Sequence, residues 1–313
     1  MQTIIVLKQM IVLFVLMVVG YSCYKLTWLD QNSYAKLSKI VVNVFNPMLI
    51  INGVVGQAAG NDMKKILLNL ALVGIYFALL VILSFPLVKL LGLKAPTESL
   101  YRMMLIFSNV GFMGIPVISS VYGEGIVLYI AFYILGYNFL LYTYGIHLAA
   151  ISVHNEEADQ KQKDSFLKLI FNPGVIACVI AIIIFATNIP ISGSAASLVS
   201  YLGEPAVPMS MILIGASMAQ QDWKKLFQDG KIYLFLAIRL LLIPIVAALI
   251  IGRLFLDPQI AGLFILMLAM PVGSIVVLLA TDRGADETCC IRGSVLSTLF
   301  SVITIPIIAL FLP

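Results

Sequence analysis

Charge is scarce in this chain. Only 11% of its 313 residues are Asp, Glu, Lys or Arg, against about 25% in a soluble domain. Hydrophobic residues make up 61% and the mean hydropathy is +1.07. No soluble core buries so large an apolar share, so part of the solvent must be lipid. The net charge of +4 is modest and is not gathered into a basic cluster suited to nucleic acid. The chain has two histidines, His147 and His154, and no H-E-x-x-H, no paired intramembrane aspartates and no G-x-x-x-x-G-K-[ST] loop. Metal-dependent and aspartyl hydrolysis, and ATP-driven transport by this chain alone, therefore find no support. The four cysteines, Cys23, Cys178, Cys289 and Cys290, lack metal-ligand spacing and a secreted framework, and read as small apolar helix residues. No cofactor and no metal is expected.

What is there is apolar length. A span needs about 20 mainly apolar residues, and ten such runs can be placed: 3–24, 37–57, 64–92, 99–121, 125–151, 167–188, 197–219, 231–254, 259–281 and 288–312. The first lacks a basic n-region and an A-x-A cleavage site and reads as a retained span. The longest polar stretch, "SVHNEEADQKQKDS" from Ser152 to Ser165, is the natural midpoint. Counting Lys and Arg in alternate loops puts fourteen on one face (among them Lys36, Lys94, Lys161 and Arg292) and four on the other: Lys8, Lys64, Lys65 and Arg253. The positive-inside rule makes the first face cytoplasmic, so both termini are expected outside, in a prokaryotic plasma membrane.

The two halves repeat. Pro47 matches Pro208 at a shift of 161, Lys65 matches Lys225 at 160, and Pro96 and Gly111 match Pro258 and Gly273 at 162. Five spans per copy is odd, so the second copy enters the membrane upside down. The expected fold is an all-α polytopic membrane protein of ten helices, a five-plus-five inverted repeat over 1–155 and 156–313, a construction common in secondary transporters.

Within each copy one span is broken: span four at "SNVGFMGIP", Ser108 to Pro116, and span nine at "AMPVGS", Ala269 to Ser274. Proline removes a helix hydrogen bond and glycine admits unusual backbone. Freed backbone groups are tolerated at membrane depth only against protein or a wet cavity. Two breaks would bring half-helix ends together at the midplane, where each N-terminal end carries about half a positive charge and suits a carboxylate. Asn109 and Ser274 add side-chain polarity there.

The segments "SNVGFMGIPVISSVYGEG", "AMPVGSIVVLLATDRG" and "NPMLIINGV" resemble the auxin efflux carrier family, whose members move auxin in plants and small organic acids in bacteria. The architecture is also similar to that of bile acid–sodium symporters. The resemblance covers essentially the whole chain. It implies two broken helices crossing at the substrate site, with Asn109, Gly111, Gly114 and Pro116 on one side and Pro271, Gly273 and Ser274 on the other. It further implies a scaffold of spans 1, 2, 6 and 7 and a moving unit of spans 3–5 and 8–10. Plant members usually carry a polar residue between the proline and glycine of the second break; Val272 stands here, and the long cytoplasmic regulatory loop is absent, so auxin as substrate stays open.

Remaining polar residues have two readings each. Arg239 in span eight is a counter-charge for an anionic substrate or a snorkelling residue. Glu204 is a proton carrier or an interfacial acid. Asn46 and Asn52 flank Pro47 and either satisfy carbonyls that the proline frees or line the pocket. His147 and His154 read as interfacial.

The function expected is secondary transport of a small carboxylate (malate-, malonate- or lactate-like) by elevator-type alternating access, with facilitated, proton-linked and sodium-linked modes open. A homodimer is expected. The alternatives are aromatic-acid transport, a sodium-coupled carrier, and a non-transporting sensor or channel-like protein. Ser217 in "GASM" faintly suggests an intramembrane serine protease, but both histidines lie in the other half of the chain, near the cytoplasmic end of span five, and that chemistry needs a base within hydrogen-bond reach of the serine.

Overall fold

The computed structural model describes residues 2–55, 63–152, 172–187, 189–221, 226–254, 256–283, 285 and 288–313. The polar linker from 153 onward with His154, the basic residues Lys161, Lys163 and Lys168, and the repeat landmark Lys225 lie outside them. The described residues are helical throughout, and the one β contact is an isolated bridge between Ser108 and Val272.

Among the described residues, seven helices are long and apolar enough to cross a membrane by length and composition. They are α1 (Gln2–Lys25), α2 (Gln31–Asn52), α3 (Met63–Leu90), α6 (Glu124–Ile151), α8 (Ser194–Ala219), α9 (Gly230–Ile251) and α12 (Thr288–Phe311). Ten such runs were expected. At the positions of spans four, six and nine the described helices are shorter. Span four is divided into α4 (Thr97–Ile106) and α5 (Val110–Tyr122), and span nine into α10 (Pro258–Ala269) and α11 (Ile275–Arg283). At span six α7 (Pro173–Thr187) is described.

Helices α4 and α10 are the innermost elements. Every residue from Ser99 to Ile106 and from Ile260 to Ala269 is buried. Helix α10 is almost wholly apolar, as suits the inside of a bundle, while α4 also buries Ser99 and Arg102, which donate to the Pro96 carbonyl and to Ser84.

Helices α1 and α8 form the most extensively packed pair. Their contact depends on two glycines. A Cβ on Gly20 would lie 1.9 Å from the Ile212 carbonyl oxygen, and one on Gly215 would lie 1.8 Å from that of Met17. Small residues at these positions let the backbones touch, which is how membrane helices gain dispersion energy without a hydrophobic drive between them. The second half of α2 packs on α7 and α8, and Gly203 meets Leu49 in the same manner, at 3.1 Å.

Three prolines within spans are accommodated by widened turns, whereas Pro86 and Pro306 lie inside regular helix. π-Turns at Val41–Phe45, Val110–Gly114 and Ile238–Leu242 each end two residues before a proline: Pro47, Pro116 and Pro244. A proline ring collides with the carbonyl four residues back, and a wider turn moves that carbonyl aside. Pro116 therefore does not break its span. The interruption expected over Ser108–Pro116 is confined to residues 107–109, and helix resumes at Val110.

Two polar contacts tie the halves of the chain together at the ends of spans. Lys65 at the start of α3 pairs with Asp257 at 2.9 Å, while Asp257 caps α10 by accepting from the N–H groups of Gln259 and Ile260. Burial alone would raise the Asp257 carboxyl, but Lys65 and the capping donors hold it below its ordinary value. Asp229 caps α9 through the Lys231 N–H, accepts from the Tyr101 hydroxyl at 3.3 Å and faces Arg292 at 4.0 Å.

Candidate functional site

The two breaks meet backbone to backbone. The Asn109 N–H donates to the Pro271 carbonyl at 2.8 Å, and the Gly273 N–H donates to the Phe107 carbonyl at 2.9 Å. These bonds close an antiparallel bridge around Ser108 and Val272. Each interruption thus supplies the partners that the other lacks, as irregular backbone inside a membrane protein requires. A Cβ on Gly273 would come within 3.2 Å of the Phe107 and Ser108 carbonyl oxygens and of the Tyr137 hydroxyl, so only glycine fits without displacing the bridge.

Helix α12 completes the satisfaction of the second break. The Val272 N–H donates to Ser297 Oγ at 2.9 Å, and Ser297 in turn donates to the Ser294 carbonyl. Ser297 is fully buried. Ser297→Ala would leave the Val272 N–H without an acceptor, a loss of about 1–3 kcal/mol. The expected result is a fall in melting temperature of the purified protein in detergent; an unchanged value would contradict this role.

The second halves of both spans begin beside the bridge. Asn109 caps α5: its Oδ1 accepts from the Phe112 N–H at 3.2 Å. Its amide nitrogen has no partner among the described residues, although the residue is only 7% exposed. At the start of α11 the N–H groups of Ser274 and Ile275 donate to no described residue. Asn109 and Ser274 line one pocket of about 60 Å³, together with Tyr34, Ser38, Ser210, Ser217, Ser294 and Thr298. Among the described residues, hydroxyls and one amide supply its polarity and no charged side chain lines it. Such a pocket offers hydrogen bonds and two helix N-termini, a setting that favours a negative charge.

A second, larger pocket of about 380 Å³ borders the other end of α5. Pro116, Ser119 and Ser120 line it opposite Asn52, Gln9 and Val207, with Glu124 and Glu204 at its wall.

Arg239 lies elsewhere. It has no exposed surface and is the largest fully buried side chain among the described residues. Its Nη2 donates to Ser108 Oγ at 2.5 Å and to the Met270 carbonyl at 3.2 Å. Tyr76 joins the same group: its hydroxyl lies 2.8 Å from Ser108 Oγ and donates to the Met267 carbonyl at 3.4 Å.

The ten residues singled out from sequence thus fall into groups. Asn109, Pro271, Gly273 and Ser274 are together at the bridge. Gly111 and Gly114 follow on α5; a Cβ at Gly111 would meet nothing within 4 Å and one at Gly114 only ordinary contacts, the Met267 side chain at 3.5 Å and the Asn109 carbonyl oxygen at 3.8 Å, so neither is held to glycine by packing. Pro116 and Asn52 line the larger pocket, Asn46 lines neither, and Arg239 packs against the bridge without lining either. Glu204 accepts from Ser200 at its exposed position. Sequence reasoning missed Ser108, Tyr76 and the α12 hydroxyls. The i, i+3, i+4 spacing of Ser294, Ser297 and Thr298, continued by Ser301 on the same span, was the available signal.

Comparison with known proteins gives a consistent result. The profile of a family described as "Membrane transport protein" matches residues 5–309. A protein named "Uncharacterized transporter" from Methanothermobacter thermautotrophicus is 25% identical over 294 residues, covering 94% of each chain.

Proposed function

The chain belongs to the membrane transport protein family, of the auxin efflux carrier type, and from that premise we propose that it is a secondary carrier of a small organic carboxylate. The observation that carries the proposal is the bridge itself. Two interrupted helices hold each other by backbone hydrogen bonds and present two helix N-termini and the Asn109 amide, unpaired among the described residues, to a pocket with no charged side chain in its described lining. A carboxylate can accept from all of these donors without the desolvation that a buried lysine would impose. The small volume of this pocket favours an acid of a few carbons over an aromatic one.

The finer architecture belongs to the same proposal. The chain is a ten-span inverted repeat divided at 155/156, with both termini outside the cell membrane. Spans 1, 2, 6 and 7 form the scaffold, a grouping supported by the glycine-mediated packing of α1 on α8 and of α2 on α7 and α8. Spans 3–5 and 8–10 form the unit that slides against it. Both pockets are lined from both groups: Asn52 and Val207 face Pro116 and Ser119 in one, and Ser38 and Ser217 face Asn109 and Ser274 in the other. Pockets strung along one boundary favour alternating access by movement at that boundary.

The test is uptake by the purified protein in vesicles, guided by a thermal-shift screen of carboxylates, because a bound ligand raises apparent stability by mass action. Uptake should saturate and show counterflow, and Asn109→Ala should lower it by roughly tenfold or more, as loss of a hydrogen bond to a charged group predicts. Flux that never saturates, or full uptake by Asn109→Ala, would remove the carrier site as described.

A further inference from the structure

Arg239 is a full positive charge, wholly buried and without a carboxylate partner among its hydrogen bonds. A buried charge with no compensation is costly at membrane depth, so the surroundings must supply negative potential. They do so through helix ends. Helix α4 ends at Ile106 and α10 at Ala269, and their C-terminal ends point into the bridge. Arg239 Nη2 reaches the Met270 carbonyl directly and Ser108, which follows the end of α4. Polarity runs in one direction from there: Arg239 donates to Ser108 Oγ, the Ser108 hydroxyl can donate to the Tyr76 oxygen, and the Tyr76 hydroxyl donates to the Met267 carbonyl. Two of the last carbonyls of α10 thus take hydrogen bonds from this chain of groups. Arg239 Nε and Nη1 have no partner among the described residues, so among them the guanidinium is held by one nitrogen and by the field of the helix ends.

In carriers built on broken helices, unwound carbonyls and half-helix C-terminal ends are where coupling cations bind. Here a side chain occupies that position. We infer that Arg239 is the resident cation of the bridge, a positioning residue that makes the site electrically complete for one singly charged carboxylate with no metal ion bound. Charge balance carries the specificity. Each helix C-terminus contributes about −0.5 and each N-terminus about +0.5. The two C-terminal ends of α4 and α10 balance Arg239, and the two N-terminal ends of α5 and α11 leave about one positive charge toward the pocket. A monoanion neutralises that remainder. A dianion leaves a net negative charge in a pocket with no Lys or Arg among its described lining residues.

The inference rests on the carboxylate-carrier reading, and its test separates the two. Vesicles containing wild type, Arg239→Lys or Arg239→Gln are assayed near neutral pH with lactate as the singly charged probe and malonate as the doubly charged one. Each is measured in sodium and in choline buffer. Wild type should take up lactate equally in both buffers and in preference to malonate. Arg239→Lys should retain uptake, whereas Arg239→Gln, which still offers hydrogen-bond donors but no charge, should raise KM for lactate roughly tenfold or more, with kcat affected less. Size-exclusion profiles check that both variants fold. A sodium requirement in wild type, preference for malonate, or an unchanged KM in folded Arg239→Gln would overturn the resident-cation role while leaving the carrier intact. Absence of uptake of both probes by wild type would remove the carboxylate reading and this inference with it.

Discussion

Gly273→Leu is expected to reduce carboxylate uptake to background. The reason is local and steric. The first carbon of any side chain at this position would already press on two carbonyl oxygens and a tyrosine hydroxyl at 3.2 Å, a separation that backbone cannot readily increase without losing the Gly273–Phe107 hydrogen bond. A leucine adds three further carbons. Loss of that bond frees buried backbone groups on both interrupted segments, each costing about 1–3 kcal/mol if unpaired. It also moves the N-terminal end of α11 away from Asn109. Gly273→Ala should be intermediate, because a single methyl demands a displacement of only a few tenths of an ångström. Uptake per folded molecule, normalised by size-exclusion of the tagged protein, is the measurement. Wild-type uptake by folded Gly273→Leu would show that the bridge geometry is not needed for transport.

The second large effect is expected at the contact of α1 with α8. Gly20→Leu or Gly215→Leu should leave little folded protein. Overpacking a side chain against flexible neighbours costs about 1–3 kcal/mol. Here the obstacle is backbone: a Cβ would sit within 1.9 Å of a carbonyl oxygen at either position. The two helices would have to separate along their most extensive interface, which dispersion and close approach hold together. The measurement is the fraction recovered as a monodisperse peak after detergent extraction. Near-normal recovery of either variant would mean that these backbones do not meet as described. By contrast, Gly111→Ala meets open space and should leave folding unaffected.

The two sets of glycines have different origins, and that difference shows what could be known in advance. Glycine and proline within "SNVGFMGIP" and "AMPVGS" announce irregular backbone through local chemistry alone, so the positions of the breaks were legible. Their exact extent was not. Pro116 looked like part of the break, yet a widened turn before it absorbs the clash and the helix runs on to Tyr122. Whether proline breaks or merely widens a helix depends on whether neighbouring backbone can move, which sequence spacing does not state. Gly20 and Gly215 gave no signal, since glycine is common in membrane helices and only the crossing of two particular helices makes it necessary.

Arg239 is the sharpest case. Its presence within an apolar span was evident, and an intramembrane charge is a functional candidate by default. Its direction was open between the pocket, the membrane interface and the interior. The structure turns it toward Ser108 and Met270, residues more than a hundred and about thirty positions away respectively.

By itself the sequence determined a multi-pass helical membrane protein of a transport family and the places where two of its segments lose helical structure. The spans and the breaks follow from hydropathy and backbone chemistry, which act over a few residues, and the family follows from the resemblance of its motifs. Only the tertiary structure decided that the interruptions pair with each other, that Ser297 satisfies Val272, and that Arg239 faces the helix ends. Hydrogen bonds between groups far apart in the chain depend on the angle and depth at which whole helices pack, and no local pattern encodes those two quantities.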